Sequence, residues 1–377
     1  MSGQLAVADR FTELVGRPPE GVWAAPGRIN LIGEHTDYNG GFVLPFAIPQ
    51  AARLAAARRD DGRWRFTSLD LDSTVESDSL TPGESGWHAY LAGVVWALRE
   101  AGHEVGGADF VLTSDVPIGA GLSSSAAIEC ATLTALCDLY GLDIAGMDRA
   151  RTAQRAENAY VGAPTGLMDQ AASTLCTADH ALFLDCHTLQ TRQIPLELAG
   201  AGLEILVIDT RTPHSHVDGE YAARRATCTQ ACEVLGVDLL REVTDLDAAL
   251  PRLDDLTARR VRHVVTENQR VLDATAALSA GDFERMGSLM TASHASMRDD
   301  YEITVPTVDL AVETLLASGA LGARMTGGGF GGCVLALIPT ALAEPAASAV
   351  TDAFAAAGFG APVSFGAHPS AGARRLA

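Results

Sequence analysis

The fifteen residues GRINLIGEHTDYNGG, Gly27 to Gly41, set Arg28, Glu34, His35 and Asp37, with Asn39, between glycines. Four ionisable side chains within ten residues make a poor core segment. A carboxylate accepts hydrogen bonds from two hydroxyls and a histidine donates or accepts another, so the segment suits a polyhydroxylated ligand. The competing account is a solvated loop with an Asx-turn at Asp37 or Asn39. A second segment, PIGAGLSSSAA from Pro117 to Ala127, runs a glycine-rich turn straight into an apolar helix. Bare amides at a helix start, serine hydroxyls and the helix dipole form an anion site, and glycine allows a triphosphate to approach closely. The alternative is that the serines only cap a buried helix.

In AENAYVGAPTGLMD, Ala156 to Asp169, a helix end supplies Glu157 and a turn presents Asp169 beside Leu167 and Met168. An aspartate among apolar neighbours is costly to bury without a partner, and arginine is the obvious one; an ordinary helix cap is the competing account. In TGGGFGGC, Thr326 to Cys333, five glycines surround Phe330 ahead of an apolar strand. Such a run lets a backbone pack closely on another or on a ligand. It lacks the strand, GxGxxG and helix context of a dinucleotide fold.

Elements must position these side chains. A helix is predicted over 6–15, stopped by Gly16 and Pro18-Pro19. Strands are predicted over 21–25, 41–48, 51–57, 63–69 and 107–114, and helices over 87–100, 123–140 and 148–159, with a loop over 162–169. Strands follow over 181–188, 193–196 and 203–209. Arginine-punctuated helices then run from 220 through 278 to 297, strands lie over 323–325 and 333–338, and a last helix spans 349–357. The domain boundary is drawn between 1–180 and 181–377, with no internal repeat and no disordered linker.

The 377 residues, 47% hydrophobic, supply a core for two domains. A net charge of −20 argues against a nucleic-acid partner, because polyanions bind through neutralised phosphates. All 27 basic residues are arginine, which excludes a GxxxxGK[ST] phosphate loop and a protein kinase, both of which need a lysine. Seven cysteines without a CxxC pair indicate reduced thiols rather than a zinc cage or a disulfide framework. Asp9 and Glu13 interrupt the stretch a secretory signal would need, and nothing approaches a membrane span, so a cytoplasmic chain without a membrane partner is expected.

Taken in order and at these separations, the four segments resemble the motifs of the small-molecule kinases that include galactokinase, homoserine kinase, mevalonate kinase and phosphomevalonate kinase. GRINLIGEHTDYNGG resembles the galactokinase signature itself, and the resemblance runs from about Phe11 to the final strands. It implies an α+β fold of two domains, the N-terminal one like domain 2 of ribosomal protein S5 and the C-terminal one ferredoxin-like, with the active site in the cleft between them. It further implies transfer of the γ-phosphate of ATP to the C1 hydroxyl of galactose, with ATP as co-substrate and Mg2+ as cofactor, by a monomer without an obligate protein partner. Carried over residue by residue, Glu34, His35, Thr36 and Asp37 would hold the sugar, with Gly166, Asp169 and Tyr221 completing its pocket. Asp169 would accept the C1 proton, or act only electrostatically, with Arg28 beside it. Gly119, Ala120, Gly121, Leu122, Ser123, Ser124 and Ser125 would cradle the phosphates, Ser125 and Glu157 would ligate the metal, and Ser68 would touch the nucleotide.

Rival readings differ in what they need. A mevalonate or homoserine kinase would share the serine loop but has no need of Glu34-His35-Thr36-Asp37. An N-acetylgalactosamine kinase would differ only around C2 of the sugar. A sensor that binds galactose and ATP without turnover predicts damage at Arg28, Asp169 or the serine loop, and none is present. A carbohydrate-binding module would not need the phosphate loop.

Overall fold

A computed structural model describes residues 2–212 and 217–377. Its strands, in chain order, are β1 (Gly21–Asn30), β2 (Phe42–Val43), β3 (Pro45–Arg59), β4 (Trp64–Ser68), β5 (Ser73–Ser77), β6 (Gly107–Ser114), β7 (His180–Asp185), β8 (Thr191–Pro195), β9 (Leu203–Asp209), β10 (Gly322–Thr326), β11 (Cys333–Pro339), β12 (Val363–Ala367) and β13 (Arg374–Arg375). They form three sheets, ordered β13-β1-β3-β6-β4-β5, β10-β11-β9-β12 and β2-β7-β8. Pairing is antiparallel except between β4 and β6.

The first sheet carries the helices Ala89–Glu100 and Ser124–Tyr140 over one face and Ser2–Val15 on the other, where Val7 and Phe11 meet Val22, Ala55 and Val111. The two strands predicted over 41–48 and 51–57 are largely one, β3, which continues through Pro49. The reason lies opposite it: the β1–β3 register shifts between Pro26 and Arg28, whose partners are Ala51 and Ala47. Pro49 falls in the gap, so its missing N–H costs no ladder bond. β1 likewise runs past the predicted end at 25 and carries Arg28 on a strand rather than in a loop.

In the second sheet the period of two is clean. Cys333, Leu335 and Leu337 of β11 join the core continuous with the first sheet, while Val334, Ala336 and Ile338 pack toward the helices Pro306–Ala317 and Thr340–Ala357. The chain does not divide at 180/181 along its sheets. The β7–β8 hairpin pairs through Leu184 and Asp185 with β2, and β13 returns to the edge of β1, where Trp23 faces Arg375. Sequence periodicity identifies strands but not their partners, so pairings that cross this position leave no mark in it.

Candidate active site

β1 bends at its bulge so that the strand after Pro26 receives the serine loop. Arg28 donates its backbone N–H to Leu122 O at 3.1 Å and its side-chain Nη1 to Gly121 O at 2.6 Å. Gly27 has no side-chain alternative, since a Cβ would stand 2.7 Å from Leu122 O. The rest of the guanidinium meets Asp169 Oδ1, from Nε at 2.9 Å and Nη2 at 2.7 Å. Asp169 lies in the first turn of the helix Met168–Leu175, which is tied to β1 by Ser173 Oγ donating to Pro26 O at 2.7 Å. Asp169 Oδ2 accepts from Ser123 Oγ. Neither Asp169 nor Ser123 caps a helix by its side chain. Ser123 sits at φ +60 and leaves the first amides of Ser124–Tyr140 uncapped. The capping accounts of both residues are thereby excluded.

The loop from Leu31 to Gly41 folds over this cluster. Asp37 abuts the chain at Gly166, where a Cβ would come within 1.6 Å of Asp37 Oδ2, so any other residue would have to displace that carboxylate. Burial, with the nearby Asp169 charge, pushes the Asp37 carboxyl up to about 6. Asn39 is buried and turns inward to donate to His35 O at 2.8 Å, so its side chain makes no solvated Asx-turn. Thr36 Oγ1 is spent on Gly33 O and Phe42 O and closes the loop from inside. His35, at φ +61, makes polar contacts at both ring nitrogens: Nδ1 with Tyr38 Oη at 2.7 Å and Nε2 with Gly328 O at 3.2 Å. Burial pushes its pKa down to about 3, so the ring is neutral.

Glu34 ties the loop to the glycine run. Its carboxylate accepts from Asn30 Nδ2 at 2.8 Å, Thr326 Oγ1 at 3.1 Å and Gly327 N at 2.9 Å, and pairs with fully buried Arg324. Behind the serine loop, buried Glu157 accepts from Thr165 Oγ1 at 3.0 Å and Gln170 Nε2 at 2.6 Å and is hydrogen-bonded by Ser125. Burial pushes its carboxyl up against these bonds, and the Asp169 charge adds to the rise. Arg28, Glu34, Asp37, Ser123, Asp169 and Tyr221 line one cleft of about 270 Å³, the small end of ligand pockets.

The sequence matches three family models: the galactokinase galactose-binding signature over residues 9–58, the GHMP kinases N-terminal domain over 89–177 and the GHMP kinases C-terminal domain over 274–356. It is 57% identical to galactokinase of Streptomyces coelicolor, covering 98% of each chain. The chain belongs to the galactokinase family. Galactokinase of Mycobacterium tuberculosis H37Rv is 48% identical over 90% of this chain and 95% of its own. The crystal structure of Lactococcus lactis galactokinase complexed with galactose superposes with a TM-score of 0.95 at 33% identity, covering 99% of each chain. A mevalonate kinase structure, at 17% identity, 92% and 98% coverage and a TM-score of 0.65, shares the fold. The α+β, two-domain architecture is therefore that of the GHMP kinases.

Of the residues expected to form a galactokinase site, Arg28, Glu34, His35, Asp37, Gly119, Gly121, Leu122, Ser123, Ser124, Ser125, Gly166, Asp169 and Tyr221 converge on the cleft. Thr36, Ala120 and Glu157 are buried and do not line it. Ser68 stands apart on β4, its Oγ accepting from the Leu71 amide at 3.3 Å. Sequence reading passed over Arg324, Gln170 and Thr165. An arginine inside the otherwise apolar strand GARMT, two residues before Thr326, was the available signal: a charge there must be paired. Gln170 and Thr165 carry no such mark, because their value lies in reaching Glu157.

Proposed function

We propose that this chain transfers the γ-phosphate of ATP to the C1 hydroxyl of galactose, giving galactose 1-phosphate and ADP. The observation that carries the reading is the Arg28–Asp169–Ser123 cluster, which joins the sugar loop, the phosphate loop and the 162–169 loop in one cleft. The galactose in the Lactococcus relative's structure and the conserved course of the backbone at 0.95 TM-score support the choice of sugar. Two lobes, S5-like around the first sheet and ferredoxin-like around the second, with the cleft between them, complete the proposal.

Galactose hydroxyls donate to Asp37, with Glu34, Tyr221 and the backbone of Gly166 closing the pocket. Gly166 leaves the Asp37 carboxylate room to face the sugar. The C1 hydroxyl donates its proton to Asp169, and Arg28 holds that carboxylate in position and offsets charge on the transferring group. Positioning and charge neutralisation supply most of the rate in such a transfer. The glycines and amides of Gly119 to Ser125 hold the phosphates, with Ser68 touching the nucleotide. Glu157 and Ser125 offer hard oxygen donors and would hold Mg2+, since a cation there would relieve the burial cost at Glu157. When bound, magnesium supplies charge neutralisation at the phosphate oxygens.

The test is a coupled ADP-release assay with ATP and magnesium against galactose, N-acetylgalactosamine, glucose, mevalonate and homoserine. Turnover confined to galactose is expected. Galactose binding by calorimetry without turnover would replace the kinase by a sensor.

A further inference from the structure

The hydrogen bonds around His35 have a determinable direction. Gly328 O can only accept, so His35 Nε2 carries the proton, and the neutral ring leaves Nδ1 as an acceptor. Tyr38 must then donate to Nδ1, and its oxygen accepts from Tyr301 Oη at 2.9 Å. Tyr301, having donated, accepts from Cys228 at 3.2 Å, and Cys228 Sγ accepts from Asn39 Nδ2 at 3.6 Å. His35, Asn39, Cys228 and Tyr301 are buried, Tyr301 fully, while Tyr38 and Gly328 are half-buried. The chain begins and ends in the sugar loop and passes through two remote elements, the helix Val217–Leu235 and the π-helical turn Met297–Tyr301. Tyr221, from the same helix as Cys228, lies with its ring centroid 5.1 Å from that of His35 and 5.5 Å from that of Tyr38.

We infer that Tyr38, Tyr301 and Cys228 are positioning residues, a one-way hydrogen-bond chain that fixes His35 as the Nε2–H tautomer and through it clips the glycine run at Gly328 to the sugar loop. His35 thus acts as a clip whose ring also lines the cleft beside Tyr221. The other tautomer would set two acceptors against each other at Gly328 O and two donors at Tyr38, unless the tyrosine hydroxyl turned. That would reverse each bond back to Cys228, where the thiol already accepts from Asn39. The low pKa of His35 agrees, because a ring held neutral keeps one orientation across neutral pH.

The test uses the full chain labelled with 15N-histidine, with the His35 signals assigned by their loss in His35→Gln. Wild type is expected to show an acceptor-type Nδ1 and a protonated Nε2, unchanged between pH 6 and 8. Tyr38→Phe removes the donor to Nδ1, so the Nδ1 signal should move to that of an acceptor without a hydrogen bond while Nε2 stays protonated against Gly328 O. The KM for galactose should rise about five- to tenfold with a smaller change in kcat, as for one lost buried hydrogen bond. Tyr301→Phe keeps the Tyr38 donor and should preserve the tautomer with a lesser KM effect. Cys228→Ser, which keeps a hydroxyl donor, should behave as wild type, while Cys228→Ala should resemble Tyr301→Phe. An unchanged Nδ1 signal in Tyr38→Phe, or a wild-type Nε2 found unprotonated, would overturn the inference. So would Cys228→Ser and Cys228→Ala proving alike. The KM arm rests on the galactose reading, but the tautomer arm needs no turnover, so failure of one does not carry the other with it.

Discussion

At the scale of single residues, two carboxylates in one cleft are differentiated by their partners. Asp169 receives the Arg28 guanidinium on one oxygen and Ser123 on the other, whereas Asp37 faces Gly166 and feels Asp169 as a like charge. Asp169→Asn keeps the shape but removes the proton acceptor of the proposed mechanism. Turnover should fall by about 10²- to 10⁴-fold while galactose binding, measured by calorimetry, is largely kept. The raised Asp37 pKa fixes a sign as well. A carboxyl that titrates near 6 when folded and near 3.8 when unfolded holds its proton better in the native state. Its contribution is therefore complete below about pH 3.8 and is lost as pH rises through about 6. Without sugar, wild type should lose stability relative to Asp37→Asn over that window in urea titrations at successive pH values. Gly166→Ala tests the close approach from the other side. A methyl 1.6 Å from Asp37 Oδ2 must displace that carboxylate, and the galactose KM should rise at least about tenfold with little change in melting temperature.

Elements bring these residues together through backbone devices. The bulge at Pro26 to Arg28 turns β1 toward Gly121 and Leu122, and the non-glycine residues His35, Ser123 and Phe330 all sit in the left-handed region, at a cost of about 1–2 kcal/mol each. Such positions persist only where the surroundings over-determine them, and here three of the four motifs contain one. The joint between the loop from Leu31 to Gly41 and β10 is ionic. Arg324, fully buried, pairs with Glu34 and stands 3.8 Å from Glu267, itself held by Arg270 and Ser293. Arg324→Met would leave the Glu34 carboxylate buried without its cation and should cost about 3–5 kcal/mol in urea unfolding. An equally sized loss from an exposed pair such as Arg298–Asp299 is not expected, because solvent screens it.

The whole molecule is closed by its last strand. β13 lies along β1, with Leu376 N donating to Val22 O at 2.7 Å, Val22 N donating to Ala377 O at 2.9 Å and the Arg375 guanidinium 5.3 Å from the Trp23 ring. Deleting residues 374–377 uncovers the edge of the strand that carries Arg28. Thermal and urea denaturation should show a loss of about 1–2 kcal/mol, and an unchanged melting temperature would mean the strand only decorates that edge. The same closure explains why no single cut in the sequence divides the molecule along its sheets.

Residue types and spacing alone determined the four motifs, the small-molecule kinase resemblance, most strands and helices, and the exclusion of lysine-dependent phosphate loops, because each of these is a local or compositional property. Arg28 and Asp169 were legible as partners in kind, since a buried aspartate demands a cation. The tertiary structure alone decided that Ser123 serves Asp169 instead of capping its helix, that His35 spends both nitrogens on Tyr38 and Gly328, and that Glu34 is anchored by Arg324, 290 residues away. It also placed β13 and the β7–β8 hairpin with the first strands. Hydrogen-bond partners at long sequence separation leave no periodicity to read. They are chosen by which unsatisfied groups the packed core brings within about 3 Å of one another.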